Sequence, residues 1–262
     1  MQTVVLAAGR GTRMGPLTNS LPKPMLPVAG RPLVEHTITA AIEAGATEIV
    51  LVVGYESSVI EDHFDGETVD VPVSIVHQPE QRGTADAVRS AVPELSPEPF
   101  AVLNGDALYD HASLRTLYET VPAVGSYRVP NPEAYGVLQT DGGRVTGVVE
   151  KPAEPPSNLI NAGAYVFPAV AREWLDVGES ERGELELTDV LERACREERV
   201  TAVPFERWLD VGRPWELLEA TEWKLDELDG DVRGDVHADA DLRGPVVVES
   251  GATVDAGVVV EG

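Results

Sequence analysis

The sequence predicts an α/β protein with a doubly wound, Rossmann-like and mostly parallel sheet, an antiparallel subregion and a terminal β-helix. Aliphatic runs alternate with helical periodicity up to about residue 120, which is typical of a parallel sheet covered by helices. Short strands of alternating polarity follow from about residue 125 and indicate antiparallel pairing. Near the end, an aliphatic residue recurs at every sixth position, at Val236, Leu242, Val248, Val254 and Val260. This hexapeptide period is that of a left-handed parallel β-helix.

These patterns divide the chain into two predicted domains. Residues 1–229 form the α/β domain, and residues 230–262 form the start of a truncated β-helix. Each coil of such a helix needs about three of these short repeats, so the segment supplies little more than one coil. An acetyltransferase that uses a full β-helix would need coils beyond this segment.

The individual elements are predicted from periodicity and from helix and turn signals. Strands are expected at residues 3–7, 48–53, 73–77, 100–103, 125–129, 135–140, 144–150 and 160–167. Helices are expected at residues 31–44, 56–64, 83–92, 110–119, 170–175, 184–198 and 214–228. Pro32 suits a first helical turn, Gly45 suits a helix end, and Asp110 suits an N-cap.

The charge balance excludes some functions. The 262 residues include 45 acidic and 20 basic side chains, for a formal net charge of -25. Such a chain repels duplex nucleic acid and anionic membranes, so we expect neither as a partner. Lysine occurs only at Lys23, Lys151 and Lys224, and this scarcity beside the acid excess suggests a halophile-like surface. An ordinary acidic cytosolic enzyme is the alternative.

The compartment is predicted from cysteine usage and from the first residues. The single cysteine, Cys195, cannot form an intramolecular disulfide, and it lies in a helical pattern as a buried thiol. The first eight residues lack the basic region and the apolar length of a signal peptide. No segment approaches the ~20 apolar residues that a membrane span needs. We therefore expect a soluble, cytoplasmic protein.

A glycine loop follows the first strand. Gly9, Gly11 and Gly15 lack the Cβ atoms that would keep backbone N–H groups away from a ligand, and Arg10 and Arg13 add positive charge. This combination is suited to holding a polyphosphate. An ordinary turn between a strand and a helix is the alternative.

Two familiar phosphate loops do not match this stretch. The dinucleotide pattern G-x-G-x-x-G has Met14 where the third glycine belongs, and the pattern G-x-x-x-x-G-K-[ST] fails from every glycine. Downstream, Lys23 lies between Pro22 and Pro24, which predicts a stiff and extended lysine that is aimed at one oxygen.

The motifs L-A-A-G-R-G-T-R-M at residues 6–14 and P-K-P-M-L-P-V-A-G-R-P-L at residues 22–33 resemble the signature of the sugar-1-phosphate nucleotidylyltransferases. The resemblance implies Mg²⁺-dependent transfer of a nucleoside monophosphate from a nucleoside triphosphate to a sugar 1-phosphate. It also implies that Arg13 and Lys23 are catalytic. The first motif would hold the nucleotide through Leu6, Ala8, Gly9 and Gly11.

The stretch Q-P-E-Q-R-G-T-A-D-A at residues 78–87 resembles the base-reading segment of that family. The Gln78 amide offers a donor and an acceptor, which is enough to pair with O4 and N3–H of uracil or thymine. Gly83 lets a backbone group approach the base, and the helix that opens at Thr84 has free N–H groups that could face an anion. A glutamine in a surface turn is the alternative.

Two aspartates resemble the metal ligands of the family. Asp106 follows an apolar strand in Asn-Gly-Asp, and Asp210 lies in W-L-D-V-G. Mg²⁺ prefers carboxylate and phosphate oxygens, so the pair would hold the ion between the nucleotide and the sugar phosphate. The alternatives are a hairpin turn at Asn104-Gly105 and a helix-capping turn at Asp210.

Three further motifs resemble places where the family contacts the sugar 1-phosphate: Y-G-V at residues 135–137, E-K-P at residues 150–152 and N-A-G at residues 161–163. By that resemblance, Gly136 and Asn161 hydrogen-bond sugar hydroxyls, Glu150 takes a pair of hydroxyls, and Lys151 meets the sugar phosphate. A solvated lysine beside a turn is the alternative for Lys151.

The predicted site lies at one edge of the sheet. Residues 9–13, 78–83 and 104–106 each follow a strand, and ligands of doubly wound sheets bind outside the carboxyl ends of the strands. We therefore expect a nucleotidylyltransferase that uses UTP or dTTP with a glucose or N-acetylglucosamine 1-phosphate, and a possible homo-oligomer. A catalytically silent regulatory or scaffold subunit, and an acetyltransferase with an accessory N-terminal part, are the alternatives.

If the acidic surface is halophile-like, the protein should lose structure at low ionic strength, where repulsion between its carboxylates is least screened. We expect the thermal midpoint, followed by far-ultraviolet circular dichroism, to be higher in ~2 M than in ~0.05 M NaCl. An equal or lower midpoint in the concentrated salt would contradict the halophile-like interpretation.

Overall fold

A computed structural model describes residues 1–9, 11–54, 57–65, 69–180, 182–228 and 230–261. Arg10, which the sequence assigns to the glycine loop, lies outside these described residues. Glu56, the predicted start of the second helix, lies outside them as well. In the described part of the chain, no helix is both long and apolar enough to cross a membrane.

Nineteen strands and six α-helices are present among the described residues. The strands are β1 (Gln2–Ala7), β2 (Pro27–Val28), β3 (Arg31–Pro32), β4 (Glu48–Val53), β5 (Val73–His77), β6 (Phe100–Asn104), β7 (Ala107–Tyr109), β8 (Ala123–Arg128), β9 (Gly136–Asp141), β10 (Arg144–Glu150), β11 (Leu159–Phe167), β12 (Thr201–Pro204), β13 (Trp208–Asp210), β14 (Asp231–Val232), β15 (Asp235–Val236), β16 (Asp241–Arg243), β17 (Val247–Val248), β18 (Thr253–Val254) and β19 (Val259–Glu261).

The α-helices are α1 (Leu33–Ala44), α2 (Ser58–Phe64), α3 (Thr84–Ala91), α4 (His111–Tyr118), α5 (Leu187–Glu197) and α6 (Pro214–Asp226). Short 3₁₀ segments occur at Thr12–Asn19, Lys23–Met25, Val92–Glu94, Pro132–Ala134 and Ala169–Trp174.

One nine-stranded sheet organises the fold, in the order β5-β4-β1-β6-β11-β8-β12-β10-β9. The four strands from β5 to β6 are parallel. In the other half, β11 runs antiparallel to β6 and β8, β12 runs parallel to β8, and β10 runs antiparallel to β12 and β9. The fold is therefore a mixed α/β fold, in which the predicted antiparallel subregion continues the same sheet.

Both faces of the sheet are covered. In β4, Val50 and Val52 face a core with α3 and α5, whereas Ile49, Leu51 and Val53 face a core with α1 and α4. Alternate residues of a strand point to opposite faces, so an almost unbroken aliphatic run is what burial on both sides requires. The doubly wound arrangement of the parallel half is confirmed.

Several predicted elements differ from the structure for identifiable reasons. The predicted helix at residues 170–175 is the 3₁₀ segment Ala169–Trp174. The helix predicted from residue 184 begins at Leu187, because the preceding backbone bonds to another segment: Leu185 N donates to Arg82 O at 2.7 Å. Strand β7 is not predicted at all, and it pairs with β13 rather than with β6. The hairpin interpretation of Asn104-Gly105 is thereby excluded.

The last segment forms three parallel strand pairs. Asp231 aligns with Val247, Asp235 with Thr253, and Asp241 with Val259. Each pair is a separate two-stranded sheet, so successive strands lie on different sides of the segment. This arrangement is compatible with the predicted β-helix. The left-handed β-helix and the domain boundary at residue 229 stay predictions.

Asp110 joins helix α4 to the segment before β13. As the N-cap of α4, it accepts a hydrogen bond from Ser113 N at 2.8 Å through Oδ1, which confirms its predicted role. Its Oδ2 accepts from the backbone N–H groups of Glu206 at 3.1 Å and Arg207 at 3.2 Å. The same carboxylate therefore fixes a helix start and the approach to β13.

We expect Asp110→Ala to lower the free energy of unfolding by about 1–2 kcal/mol, since it removes a cap and leaves backbone donors without their acceptor. Urea denaturation measures this change. Asp110→Asn keeps one acceptor oxygen and should lose less. An alanine variant as stable as the parent chain would contradict the assigned role.

Candidate active site

Strands β7 and β13 bring the two predicted metal ligands together. Their antiparallel register aligns Asp210 with Ala107, the residue after Asp106. The backbone agrees, because Val211 N donates to Asp106 O at 3.0 Å. Asp210 therefore lies in a strand, and α6 has Arg213 as its N-cap residue with no side-chain cap. The interpretation of Asp210 as a capping turn is thereby excluded.

Lys23 belongs to this cluster. Its Nζ lies 2.5 Å from Asp106 Oδ2, and its side chain is only 6% exposed. The flanking prolines predict an extended Lys23, but the residue starts a 3₁₀ turn. Leu26 N closes this turn by donating to Lys23 O at 3.1 Å. The predicted extended conformation of Lys23 is therefore wrong, and a backbone hydrogen bond closes a turn there instead.

Gly11 is required by this lysine. A Cβ at Gly11 would lie 2.6 Å from Lys23 Cβ, and the residue has a φ of +61°. Both facts restrict the position to glycine, because close approach and a left-handed backbone each disfavour a side chain. The sequence predicts that Gly11 leaves space for a phosphate. In the structure, the glycine makes room for the stem of Lys23.

The electrostatics of the cluster are dominated by the carboxylate pair. Burial, and then the negative charge of Asp106, raise the pKa of Asp210 to about 6, while Lys23 and Arg13 act in the opposite direction. Arg13 itself lies against Gly212, where a Cβ would come within 3.2 Å of its guanidinium. Two cations therefore face two carboxylates at one point of the sheet edge.

The cluster fits a divalent cation. Two adjacent carboxylates of which one resists ionisation form a site that gains from added positive charge. Among the described ranges, no group of three or more histidine, cysteine, aspartate or glutamate side chains could hold a metal. Mg²⁺ is commonly bound by one or two carboxylates, with phosphate and water completing its shell. Asp106 and Asp210 would be those ligands.

One cavity reaches the cluster, and a second lies next to the first. The smaller, of about 310 Å³, extends to Asp106 and is lined by Leu6, Ala8, Gly9, Gln78, Gln81, Gly83, Thr84, Ala87, Asn104, Asp106 and Glu184. The larger, of about 1020 Å³, lies between the glycine loop and α2 and shares Ala8, Gly9, Gln78 and Gln81 with it. The residues predicted to bind the nucleotide therefore line one continuous region, except Gly11, which packs on Lys23.

Fewer polar atoms of Gln78 are free to bind a ligand than the sequence predicts. Its Nε2 donates to Gly83 O at 3.1 Å and to Asp86 Oδ2 at 2.9 Å, which uses both amide hydrogens. Only Oε1 is left for a ligand. The prediction that the amide pairs with a base through both a donor and an acceptor is corrected, because the protein takes the donor side.

The start of α3 is also occupied by the protein. Ala85 N donates to Leu185 O at 2.9 Å, and the Thr84 hydroxyl oxygen accepts from Leu187 N at 2.9 Å. A Cβ at Gly83 would collide with Leu185 O and lie 2.6 Å from Leu185 N, so this glycine permits the close approach of the two segments. One N–H group at this helix start therefore bonds to the protein. The anion expected at this helix start stays a prediction.

Gln81 is a cavity residue to which the sequence assigns no separate role. Its Nε2 donates to Ala8 O, and a Cβ at Gly54 would lie 3.2 Å from that nitrogen. The side chain bridges the ends of β1 and β4 and lines both cavities. The sequence signal for this role of Gln81 is its position inside the motif at residues 78–87.

Gly136, Glu150 and Lys151 lie together, as predicted for the sugar side. A Cβ at Gly136 would lie 2.9 Å from Glu150 Oε2, so the glycine leaves room for that carboxylate. Lys151 has a φ of +43°, and its Nζ lies 3.6 Å from Glu150 Oε1. A left-handed lysine costs about 1 kcal/mol or more, and such strain concentrates at functional sites.

The amide of Asn161, which the sequence assigns to sugar binding, is largely used in hydrogen bonds within the protein. Its Nδ2 donates to Tyr165 OH at 2.5 Å, and its Oδ1 accepts from Gly163 N at 3.0 Å. These bonds stabilise an irregular stretch of β11 between Asn161 and Tyr165. One amide hydrogen is left for a sugar hydroxyl.

Two further residues lie beside Gly136 and Glu150 and have no assigned role in the sequence. Buried Glu186 is held 3.0 Å from Arg182, which also lies 3.4 Å from Glu150. Burial, together with the charge of Glu150, raises the pKa of Glu186. Thr188 contacts the Gly136 position, and its buried Oγ1 has no hydrogen-bond partner among the described residues. Neither residue lies in a motif to which the sequence assigns a role.

Tyr135 connects the sugar side to the carboxylate pair. Its backbone oxygen accepts from Lys151 N at 3.0 Å, and its ring lies 5.6 Å from that of Trp208 in β13. Burial, followed by the charges of Asp210 and Glu216, raises the pKa of the Tyr135 hydroxyl to about 12. The residues around Gly136 therefore lie near the carboxylate pair.

A glycine loop, a buried lysine and a carboxylate pair thus lie together at the carboxyl edge of the sheet, where ligands of such folds bind. The chain belongs to the nucleotidyl transferase family, which matches residues 2–227.

Individual relatives agree with this assignment. The bifunctional protein GlmU of Methanocaldococcus jannaschii is 38% identical over 255 residues, which cover 96% of this chain and 61% of that protein. The UTP–glucose-1-phosphate uridylyltransferase AglF of Haloferax volcanii is 38% identical over 244 residues, covering 87% of this chain and 97% of AglF. The chain thus spans about three fifths of the length of relatives such as GlmU.

A solved structure of UDP-glucose pyrophosphorylase in complex with UDP-glucose superposes on this fold with a TM-score of 0.77. The two sequences are 27% identical, and the match covers 86% of this chain and 98% of the other. The relationship therefore extends over nearly the whole α/β part.

The raised pKa of Asp210 predicts a stability change. This carboxyl titrates near 6 in the folded protein and near 3.9 when unfolded, so its stabilising protonated form is lost as the pH rises through about 6. In metal-free buffer at pH 7, we expect Asp210→Asn to raise the thermal midpoint by about 3 °C or more. The gain should shrink as the pH is lowered towards 4.

Mg²⁺ serves as the control for this measurement. It should raise the midpoint of the parent chain more than that of Asp210→Asn, because the asparagine is a weaker ligand. A variant that unfolds at a lower temperature than the parent chain in metal-free buffer at pH 7 would contradict the electrostatic account.

Proposed function

We propose that this chain transfers a nucleoside monophosphate from UTP or dTTP to a sugar 1-phosphate and releases pyrophosphate. Glucose 1-phosphate and N-acetylglucosamine 1-phosphate are the favoured acceptors. The observation that carries the proposal is the contact of buried Lys23 with Asp106 at 2.5 Å, beside Asp210 and at the end of the smaller cavity. A lysine, an arginine and two carboxylates at one point are suited to phosphate transfer rather than to hydrolysis by a nucleophilic side chain.

The reaction needs little covalent work from the protein. An oxygen of the sugar phosphate attacks the α-phosphorus in line, and it is already ionised at neutral pH, so no general base is required. Lys23 and Arg13 stabilise the charge that develops on the phosphates, and the glycine loop orients the triphosphate. Mg²⁺ bound by Asp106 and Asp210 would supply further charge neutralisation and align the two phosphates.

The choice of base rests on Gln78. Its free Oε1 accepts a hydrogen bond from N3–H, which uracil and thymine share, and this supports UTP or dTTP. AglF is named a UTP–glucose-1-phosphate uridylyltransferase, and this supports UTP and glucose 1-phosphate as the substrates of the present chain.

The sugar lies on the Gly136 side. Glu150 takes a pair of sugar hydroxyls, Lys151 meets the sugar phosphate, and Gly136 and Asn161 hydrogen-bond the ring. Thr188 Oγ1, buried without a partner among the described residues, supports a further polar contact at this place.

The remaining segment is assigned by the same reasoning. We propose that residues 1–229 form the catalytic domain and residues 230–262 the start of a hexapeptide β-helix. Relatives of 33% identity include a bifunctional sugar-1-phosphate nucleotidylyltransferase/acetyltransferase of Sulfurisphaera tokodaii, which this chain covers to 65%. The catalytically silent alternative has no observation in its favour, since the lysine, the arginine and both aspartates are present.

Lys23→Met tests the central assignment. It keeps the buried methylenes and removes the charge, so we expect turnover to fall about a hundredfold or more, the scale of one preorganised charge donor. Pyrophosphate release in high salt with Mg²⁺ measures it. Arg196→Met, which removes an exposed arginine of α5, is the matched control and should change turnover less than about twofold. A Lys23→Met protein that keeps most of its activity would refute the role of Lys23.

The substrates are identified by pyrophosphate release over five nucleoside triphosphates and the 1-phosphates of glucose, glucosamine and N-acetylglucosamine. We expect turnover with UTP or dTTP and loss of that turnover in Asp106→Asn, which removes a metal ligand. If nucleotide binds and no combination reacts, the silent-subunit alternative replaces the proposed function.

A further inference from the structure

We infer that Asp86 is a positioning residue that fixes the amide of Gln78 so that the base meets only an oxygen. The fixed amide makes the site select a pyrimidine that carries N3–H and reject cytosine. This inference rests on the proposed function, and it assigns the choice of base to a residue that lies outside the expected base contacts.

The orientation of the Gln78 amide follows from its partners. The side chain is 4% exposed, and its nitrogen lies 3.1 Å from Gly83 O and 2.9 Å from Asp86 Oδ2. Both partners are acceptors. The reversed amide would place Oε1 against a carbonyl oxygen and a carboxylate oxygen, and each contact would become repulsive.

Asp86 is itself held in place. It is 7% exposed, and its Oδ1 accepts a hydrogen bond from Arg89, one turn further along α3. It is also the third residue of α3, where a negative charge is favoured by the helix dipole. These two interactions keep Oδ2 directed at Gln78.

The fixed oxygen distinguishes bases that differ by one hydrogen atom at N3. Uracil and thymine present N3–H to the fixed oxygen and form a hydrogen bond. Cytosine presents the lone pair of N3, so two acceptors face each other, and rotation of the amide cannot relieve the contact. A buried site built to bond one hydrogen rejects an analogue that lacks it far more strongly than a hydrophobic pocket rejects a change in shape.

Asp86→Asn tests the inference. The asparagine can offer a nitrogen to Gln78, so only Gly83 O still opposes the reversed amide, and the penalty for turning the glutamine nitrogen towards cytosine falls. We expect the ratio of kcat/KM for UTP to that for CTP, with dTTP as a second donor, to fall about tenfold or more, the scale of one charge-assisted hydrogen bond. The change should lie mainly in KM, since Asp86 touches no reacting atom.

Asp189→Asn is the matched control. Asp189 is the third residue of α5, as Asp86 is of α3, so the substitution removes an equivalent helix-dipole interaction without contact to Gln78. It should leave the UTP-to-CTP ratio unchanged. A ratio that falls equally in both variants, or in neither, would overturn the role of Asp86.

Arg89→Gln covers the case in which Asp86→Asn fails to fold. Arg89 is 41% exposed, and its loss frees Asp86 without removing the carboxylate, so the ratio should fall in the same direction by a smaller factor. An unchanged ratio here, with the parent chain active on UTP, would also overturn the inference. A parent chain inactive on both UTP and dTTP would instead refute the proposed function.

Discussion

The antiparallel pairing of β7 with β13 is the constraint on which the rest of the site depends. It aligns Asp210 with Ala107 and so places Asp210 beside Asp106. The ion pair of Lys23 with Asp106 completes the cluster, and a buried lysine without that partner would be strongly destabilising. Gly11 and Gly212 then become necessary, because they leave space for the stem of Lys23 and the guanidinium of Arg13.

The sequence predicts the parts of this arrangement that local patterns determine. Strands β4, β5 and β10 have the predicted bounds, because continuous or alternating aliphatic runs bury their side chains in only one way. The sheet edge is also predictable, since parallel strands end on the same side and their following residues must meet there. For that reason Gly9, Gln78 and Asp106 are found around one region.

The remaining features depend on contacts between distant segments. Strand β7 has three residues and no periodicity to detect, and its partner lies about a hundred residues away. The backbone around Leu185 occupies the start of α3, and Asp86 occupies the donor side of Gln78. A motif identifies which residues lie near a ligand. It does not reveal which of their polar atoms the protein itself uses, because that depends on tertiary packing.

The most direct test of the account is a crystal structure of the chain with UTP and Mn²⁺, in which anomalous scattering locates the ion. The account predicts one ion coordinated by a carboxylate oxygen of both Asp106 and Asp210, with a phosphate oxygen of UTP in its shell. An ion bound at neither aspartate, with UTP seated in the cavity, would contradict the claim that the β7–β13 pair builds the catalytic centre.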